Sequence, residues 1–294
     1  MSVSVQPRRS FIFSPGTDPS MFTKALASGA DIVCVELEDG VAPHDKDAAR
    51  ANMLKIFADE TSAVERPGDG VERIVRVNEL GSTFGQEDLG AIYEAPSPPP
   101  ALMLPKVNSA DEVRRVSDRL DALGLPVRLQ VIIETNHGLE AAYDIAHASE
   151  RIDSLLFGGV DLAADLRCTY AWEPLLYARS RVVHAAAAAG IDAIDVPWLD
   201  LNDADGLRRE AEASAQLGFT GKGAIHPKQI QVINEIFSPS ETEIAHARNI
   251  IAAFAEANTG LVVVDGKLIE RPVLRTMERV LAIADRMAAR GAAA

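Results

Sequence analysis

The chain has 294 residues, of which 47% are apolar and 24% charged, enough core-forming material for one large domain or two small ones and too much for global disorder. Acidic residues outnumber basic ones 43 to 29, a net charge of −14 that argues against nucleic acid or an anionic membrane surface as the main partner. The two cysteines, Cys34 and Cys168, argue against a disulfide framework or a zinc site, and any anionic substrate must be met by a local group of Arg and Lys.

From the N-terminus onward, short β-rich runs alternate with segments of helical period. The predicted strands are Phe11–Ser14, Ile32–Leu37, Arg73–Asn78, Ala101–Pro105, Val127–Glu134, Leu155–Gly159, Ala193–Pro197 and Gly223–His226. Most are continuous apolar runs without strict alternation, as expected of parallel strands covered on both faces. Cys34 lies inside one of them and reads as a buried small hydrophobe, not a nucleophile. Between the runs, Leu139, Ala142, Tyr143 and Ala146 fall at i, i+3, i+4 and i+7 and predict a helix that buries them. Another helix carries Pro174 in its first turn, buries Leu175, Ala178 and Val182, and stops at Gly190. Eight such repeats predict a closed (β/α)8 barrel over residues 1–237.

Beyond residue 237 the rhythm changes. Ser240-Glu241-Thr242-Glu243 has capping-box spacing before a helix bearing Ile244, Ala247, Ile251 and Phe254. Leu261–Val264, Asp265-Gly266 and Lys267–Ile269 predict a β-hairpin with a type I′ turn, and a last helix carries Val273, Met277, Val280 and Leu281. Residues 238–294 therefore form a helix–hairpin–helix extension to the barrel. No stretch approaches membrane-spanning length and the first residues lack an apolar signal region, so a reducing, cytoplasmic setting is expected.

In a barrel of this kind the active site forms where strands end and the following loops begin. Those positions, in order, hold Ser14-Pro15-Gly16, Glu36 through Gly40, Arg76, Pro105-Lys106, Glu134, Asp161, Asp195 and His226-Pro227. Glu134 and Asp161 each follow an apolar run, where an unpaired charge is costly to hold. Two such carboxylates suit a hard divalent cation. Mg2+ is expected, with Mn2+ as the alternative, because it takes one or two carboxylates and leaves its remaining positions to water and substrate. His44, His137, His147, His184 and His246 are scattered without zinc-site spacing, and only His226 is placed at the rim of the pocket.

Arg76 ends an apolar strand, where a guanidinium can grip a carboxylate through two parallel hydrogen bonds. Its structural alternative is an ion pair with Glu38 or Asp39, and the two roles are compatible. Glu38 and Asp39 are expected to orient metal-bound waters or Arg76. Lys106 either neutralises these acids or serves as a Schiff-base lysine, and acid-rich surroundings disfavour the second role by keeping it protonated.

The blocks Arg9-Ser10, Ser14-Pro15-Gly16, Glu36 through Pro43, Arg76-Val77-Asn78, Pro105-Lys106-Val107, Glu134-Thr135, Phe157-Gly158 with Asp161-Leu162, and Gly221-Lys222 with Ile225-His226-Pro227 occur in this order. Together they resemble the citrate lyase β-subunit-like branch of the HpcH/HpaI aldolase family, across nearly the whole chain. The resemblance implies a barrel of the pyruvate/phosphoenolpyruvate type. It further implies a carbon–carbon lyase that cleaves or forms malyl-, methylmalyl- or citramalyl-CoA from an acyl-CoA and a 2-oxo acid such as glyoxylate or pyruvate. Malyl-CoA thioesterase and citrate lyase β subunit are the alternatives. A CoA-free class II aldolase of 4-hydroxy-2-oxo acids is less favoured, since it needs a histidine base and His44 falls past Pro43.

Carried over residue by residue, the resemblance implies that Glu134 and Asp161 are the Mg2+ ligands and that Arg76 binds the oxo acid carboxylate. Glu38 and Asp39 then correspond to acids around the metal waters. It also implies a homotrimer or homohexamer in which the C-terminal segment covers a neighbour's site. Members of the family carry an aspartate base in a motif resembling Asp-Gly-Lys-Met-Ile-Asp-x-Pro, whereas this chain reads Asp265 through Leu268, then Ile269-Glu270-Arg271-Pro272. Glu270 is therefore either the base, one methylene longer, or a solvated charge leading into the last helix. Val196-Pro197-Trp198 is bulkier than the family pattern and is expected to reshape the acyl pocket. For the CoA phosphates, Lys24 is better placed than Arg8 and Arg9, which precede the first strand and start at the opposite face.

Overall fold

The computed structural model describes residues 7–58, 70–257 and 260–293; the extreme N-terminus, read above for a signal region, lies outside the described residues. Eight strands, β1 (Ser10–Pro15), β2 (Ile32–Glu36), β3 (Glu72–Arg76), β4 (Ala101–Leu104), β5 (Arg128–Ile133), β6 (Ile152–Phe157), β7 (Asp192–Asp195) and β8 (Gly221–Ala224), run parallel in sequence order. Pairing of β1 with β8 closes the barrel. The helices between them are α1 (Pro19–Leu26), α2 (Lys46–Ala58), α3 (Thr83–Glu94), α4 (Ala110–Ala122), α5 (Asn136–Glu140), α6 (Ala142–Ala146), α7 (Gly159–Leu166), α8 (Trp172–Ala189) and α9 (Ala204–Leu217). The short α10 (Ile230–Ile236) follows β8.

The continuous apolar runs are explained by burial on both faces. Phe11, Ile32, Cys34, Ile74, Met103, Ile132, Leu156 and Ile194 pack together as the barrel interior. The residues that alternate with them, such as Val33, Val75, Leu102, Val131 and Leu155, are buried on the opposite, helix-facing side. At the N-terminal end of the barrel, Arg8 bridges Glu72 at 2.7 Å, Asp192 at 3.0 Å and Asp153 at 3.2 Å, and the Gln130 amide donates to Glu72 at 2.8 Å. Arg9 is bound nearby to Asp31 at 2.8 Å.

One helix departs from its predicted form. The segment around Leu139 and Ala146 is two short helices, α5 and α6, that meet at Ala141, and Tyr143 is 48% exposed instead of buried. Leu139, Ala142 and Ala146 are buried as the spacing predicts.

The chain separates into two compact units, and the second contains Glu235–Ala294. Within it lie α11 (Glu241–Ala257), an antiparallel hairpin of β9 (Leu261–Val264) and β10 (Lys267–Glu270), and α12 (Arg271–Ala293). The capping box forms, with Ser240 N–H donating to Glu243 at 2.8 Å and Glu243 N–H to the Ser240 hydroxyl at 3.2 Å. Asp265 and Gly266 take the positive φ values of 49° and 75° that a type I′ turn requires. Ile250, Val264 and Ile269 form a small core, against which Phe254, Val273 and Met277 pack. Among the described residues no helix is long and apolar enough to cross a membrane.

Candidate active site

The C-terminal ends of β2 and β3 carry the first half of the site. Strand parity turns Glu36 inward after Ile32 and Cys34, and turns Arg76 inward after Ile74. Arg76 Nε donates to Glu36 Oε2 at 2.6 Å, its Nη1 lies 3.3 Å from Glu38, and its guanidinium stacks 4.5 Å over the Phe13 ring. Burial lowers the Arg76 pKa, but the charges of Glu36 and Glu38 more than reverse this and fix it as a cation. The partners differ in part from those read in the sequence. Glu36 holds Arg76 together with Glu38, whereas Asp39 pairs with Lys106 at 3.1 Å.

Lys106 links the two halves. Its ammonium lies 2.5 Å from Glu38, and its backbone N–H donates to Glu134 Oε1 at 2.8 Å. A left-handed φ of 51° at this non-glycine residue lets it serve both groups, at a cost of about 1–2 kcal/mol. Burial works against its charge, but Glu38 and Asp39 raise its pKa well above the ordinary range, which disfavours a Schiff-base role. Glu36 also accepts the N–H of Glu38 at 2.5 Å. Lys46, buried on α2, donates to the carbonyls of Leu37 and Glu38, each at 2.7 Å, and to Asn78 Oδ1 at 2.6 Å, clamping the loop that carries the acids.

Glu134, directly after β5, is buried, and Asp161 is partly buried in the first turn of α7, a short way past the end of β6 where the sequence placed it. Burial, then the neighbouring charge of Asp161, push the Glu134 carboxyl up to about 8, with Glu38 adding to the push and Arg76 opposing it. The four groups therefore share one electrostatic neighbourhood. Gly158 makes room for it, since a Cβ there would lie 2.4 Å from Glu134 Cβ and 2.5 Å from Oε2. The buried Glu134 carboxyl and the neighbouring Asp161 form an oxygen donor set that suits a hard cation. Among the described residues no group of three or more His, Cys, Asp or Glu is arranged for a metal, so water and substrate would complete the coordination.

The remaining positions are more scattered. Lys24 is exposed in the last turn of α1. His226 is exposed and caps the 3-10 turn Pro227–Gln229, its Nδ1 accepting from Lys228 N–H at 3.1 Å. Arg8 and Arg9 are committed to ion pairs at the far end. Glu270 ends β10 and is exposed. Asp195 does not join the site. It faces outward, fully buried, with Lys222 at 2.9 Å, Arg179 at 3.0 Å and the Ser214 hydroxyl at 2.5 Å. Sequence reasoning missed Glu36, Lys46 and Gly158 as site-shaping residues. Strand parity was the available signal for Glu36.

A parallel barrel with acids and a guanidinium gathered at its strand ends is the architecture of a barrel enzyme. Residues 9–227 match the model of HpcH/HpaI aldolase/citrate lyase, and the chain belongs to this family. It is 34% identical over 291 residues to the citrate lyase subunit beta of Leuconostoc mesenteroides subsp. cremoris, a match covering 95% of this chain and 93% of that protein. It is 33% identical over 297 residues to the mitochondrial citramalyl-CoA lyase of Homo sapiens, covering 95% and 86%. Among solved structures, the CitE protein of Mycobacterium tuberculosis in complex with magnesium, acetoacetate and coenzyme A superposes with a TM-score of 0.76 at 31% identity, covering 94% of this chain and 97% of that one.

Proposed function

We propose that this chain is a Mg2+-dependent carbon–carbon lyase that cleaves or forms a 3-hydroxyacyl-CoA from an acyl-CoA and a short 2-oxo acid. The observation that carries this reading is the buried Glu134 beside Asp161, with Arg76 in the same electrostatic field. Two relatives support the substrate class, one named a citramalyl-CoA lyase and one solved with magnesium and coenzyme A.

Glu134 and Asp161 would hold the cation, which supplies Lewis-acid polarisation of the oxo acid carbonyl when bound. Arg76, fixed by Glu36 and Glu38 through Nε and Nη1, keeps Nη2 for the substrate carboxylate. Lys106 offsets the charge of Glu38 and Asp39 and orients Glu134 through its N–H. Glu38 and Asp39 would hold waters of the first hydration layer. Lys24 would meet the CoA phosphates and His226 the rim of the acyl-CoA. Glu270, delivered by a neighbouring copy in a homotrimer or homohexamer, would take a proton from the carbon beside the thioester carbonyl and return it during cleavage. The barrel domain would span residues 1–237, and the extension over 238–294 would cover that neighbour's site. Two free cysteines fit a reducing compartment, and the cytoplasm is the proposed setting.

A citrate lyase β subunit is the second reading, favoured by the 34% identity to such a protein. One experiment separates the two. The purified chain is incubated with Mg2+ and acetyl-CoA or propionyl-CoA against glyoxylate, pyruvate and oxaloacetate, and products are identified by mass. New 3-hydroxyacyl-CoA that disappears in chelator supports the lyase. Turnover only with an acyl-carrier partner supports the subunit.

A further inference from the structure

A groove runs between α3 and α4 in the barrel unit and opens beside Lys106 at the strand ends. It measures about 540 Å3, within the range of small-molecule sites. Leu89, Gly90 and Tyr93 of α3 face Arg115, Val116 and Arg119 of α4 across it. Lys106 is the one member of the acid and arginine cluster that lines it, and neither Arg76, Glu134 nor Asp161 does.

Arg115 and Arg119 are one turn apart on the same face of α4, close enough to act on one ligand. Both are exposed, and among the described residues neither guanidinium has a carboxylate partner. That is notable in a chain with 43 acids against 29 bases. The adjacent Arg114 is paired with Asp111 at 2.6 Å, and Arg50 on α2 holds Asp88 at 2.8 Å. Arg119 instead lies 5.8 Å from the centre of the Tyr93 ring, which draws its charge across the groove toward α3.

The two acids of the groove sit at its other end. Glu79 follows β3, and Glu112 lies in the first turn of α4, about 10 Å along the helix axis from Arg119. Both Glu112 oxygens are engaged, by Asn108 N–H at 3.0 Å and the Ser109 hydroxyl at 3.3 Å. Lys106 is committed to Glu38 and Asp39. The groove is therefore positive at the Tyr93 end and negative at the mouth, so it takes an anion in one orientation. One carboxylate fills one guanidinium fork, whereas two forks a turn apart suit a head with two negative charges. Tyr93, Leu89 and Val116 offer apolar surface to a ring. We infer that this groove binds a dianionic head group, a phosphate monoester or a vicinal dicarboxylate, carried on a planar ring. The head rests on Arg115 and Arg119 and the ring against Tyr93. This site goes beyond the lyase reading and does not depend on it.

The test is calorimetric titration of the whole chain in a buffer free of phosphate, sulfate and Mg2+, so that it reads binding without any catalysis. Phenyl phosphate and phthalate are the two ring-borne dianions, benzoate is the monoanion on a ring, and inorganic phosphate is a head without one. At least one dianion is expected to saturate below about 10 mM, with benzoate and inorganic phosphate at least about fivefold weaker. Whichever dianion binds more tightly identifies the head group. The double variant Arg115→Gln with Arg119→Gln removes both charges from exposed positions and should weaken binding at least about tenfold at an unchanged melting temperature. Gly90→Phe blocks the groove from the other wall. A Cβ at Gly90 would meet nothing within 4 Å, and a helix interior favours replacing glycine, so binding should be lost without loss of stability. The inference is overturned if neither dianion saturates up to about 10 mM, or if the margin over benzoate or inorganic phosphate is smaller than stated. It is equally overturned if either variant, shown to be folded, binds like the parent.

Discussion

Glu36 and Arg76 stand opposite each other in the register of β2 and β3, joined by a 2.6 Å hydrogen bond that aims the guanidinium before any substrate arrives. Glu36 touches no proposed substrate atom, yet it sets the geometry of the residue that does. Its substitution should therefore affect binding more than folding. Glu36→Gln keeps the shape and removes the charge. Loss of a charge-assisted bond worth about 2 kcal/mol predicts a rise of about 30-fold in the KM for the oxo acid. Steady-state kinetics with glyoxylate or pyruvate check this, and a KM unchanged within about twofold would sink the positioning role.

Gly158 makes a sharper test of the metal site. Its φ of −90° suits alanine, so Gly158→Ala introduces no backbone strain. The new methyl would press on Glu134 instead. Calorimetric titration should show Mg2+ affinity falling by at least about tenfold while circular dichroism is retained, with a stability cost of about 1–3 kcal/mol. Glu134→Gln and Asp161→Asn should remove Mg2+-induced thermal stabilisation altogether.

Asp195 predicts a signature in acid. Burial would raise its pKa, but Lys222, Arg179 and the Ser214 hydroxyl outweigh burial and hold it below the ordinary 3.8. A carboxylate with a depressed folded pKa contributes stability above its unfolded value and loses it as pH falls through the folded one. Asp195→Asn, which leaves Lys222 and Arg179 short of a buried anion, should cost about 3–5 kcal/mol near neutral pH. That difference should shrink as the medium is acidified below 3.8. Urea melts across pH measure it directly.

Glu270 is open to a kinetic test. Glu270→Gln removes the base and keeps the length, so kcat should fall by about 10²- to 10⁴-fold with KM for both substrates little changed. Glu270→Asp shortens the reach by one methylene and separates geometry from basicity. If Glu270→Gln retains full kcat, the proton is taken elsewhere.

The barrel was legible because its strands are buried on both faces, which leaves uninterrupted apolar runs such as Leu102 to Leu104 and Val131 to Ile133. The site was legible where a charge followed such a run, at Arg76 and Glu134. Asp195 looked the same in one dimension, yet Ile194 faces the interior, so alternation turns Asp195 toward the helices. The identical rule, applied to Ile32 and Cys34, points Glu36 inward. Parity was the missing step, and it requires knowing which residue of each strand faces in. The break between α5 and α6 had no such signal, because buried Leu139, Ala142 and Ala146 keep helical spacing across it.

The ion-paired floor made by Arg8, Glu72, Asp192 and Gln130 has a consequence for evolution. Barrel closure is secured at the end remote from the loops that meet reactants, so those loops can drift without unravelling the scaffold. New acyl preferences can then be sampled by altering the upper loops alone, and a library confined to them should retain a high share of folded members.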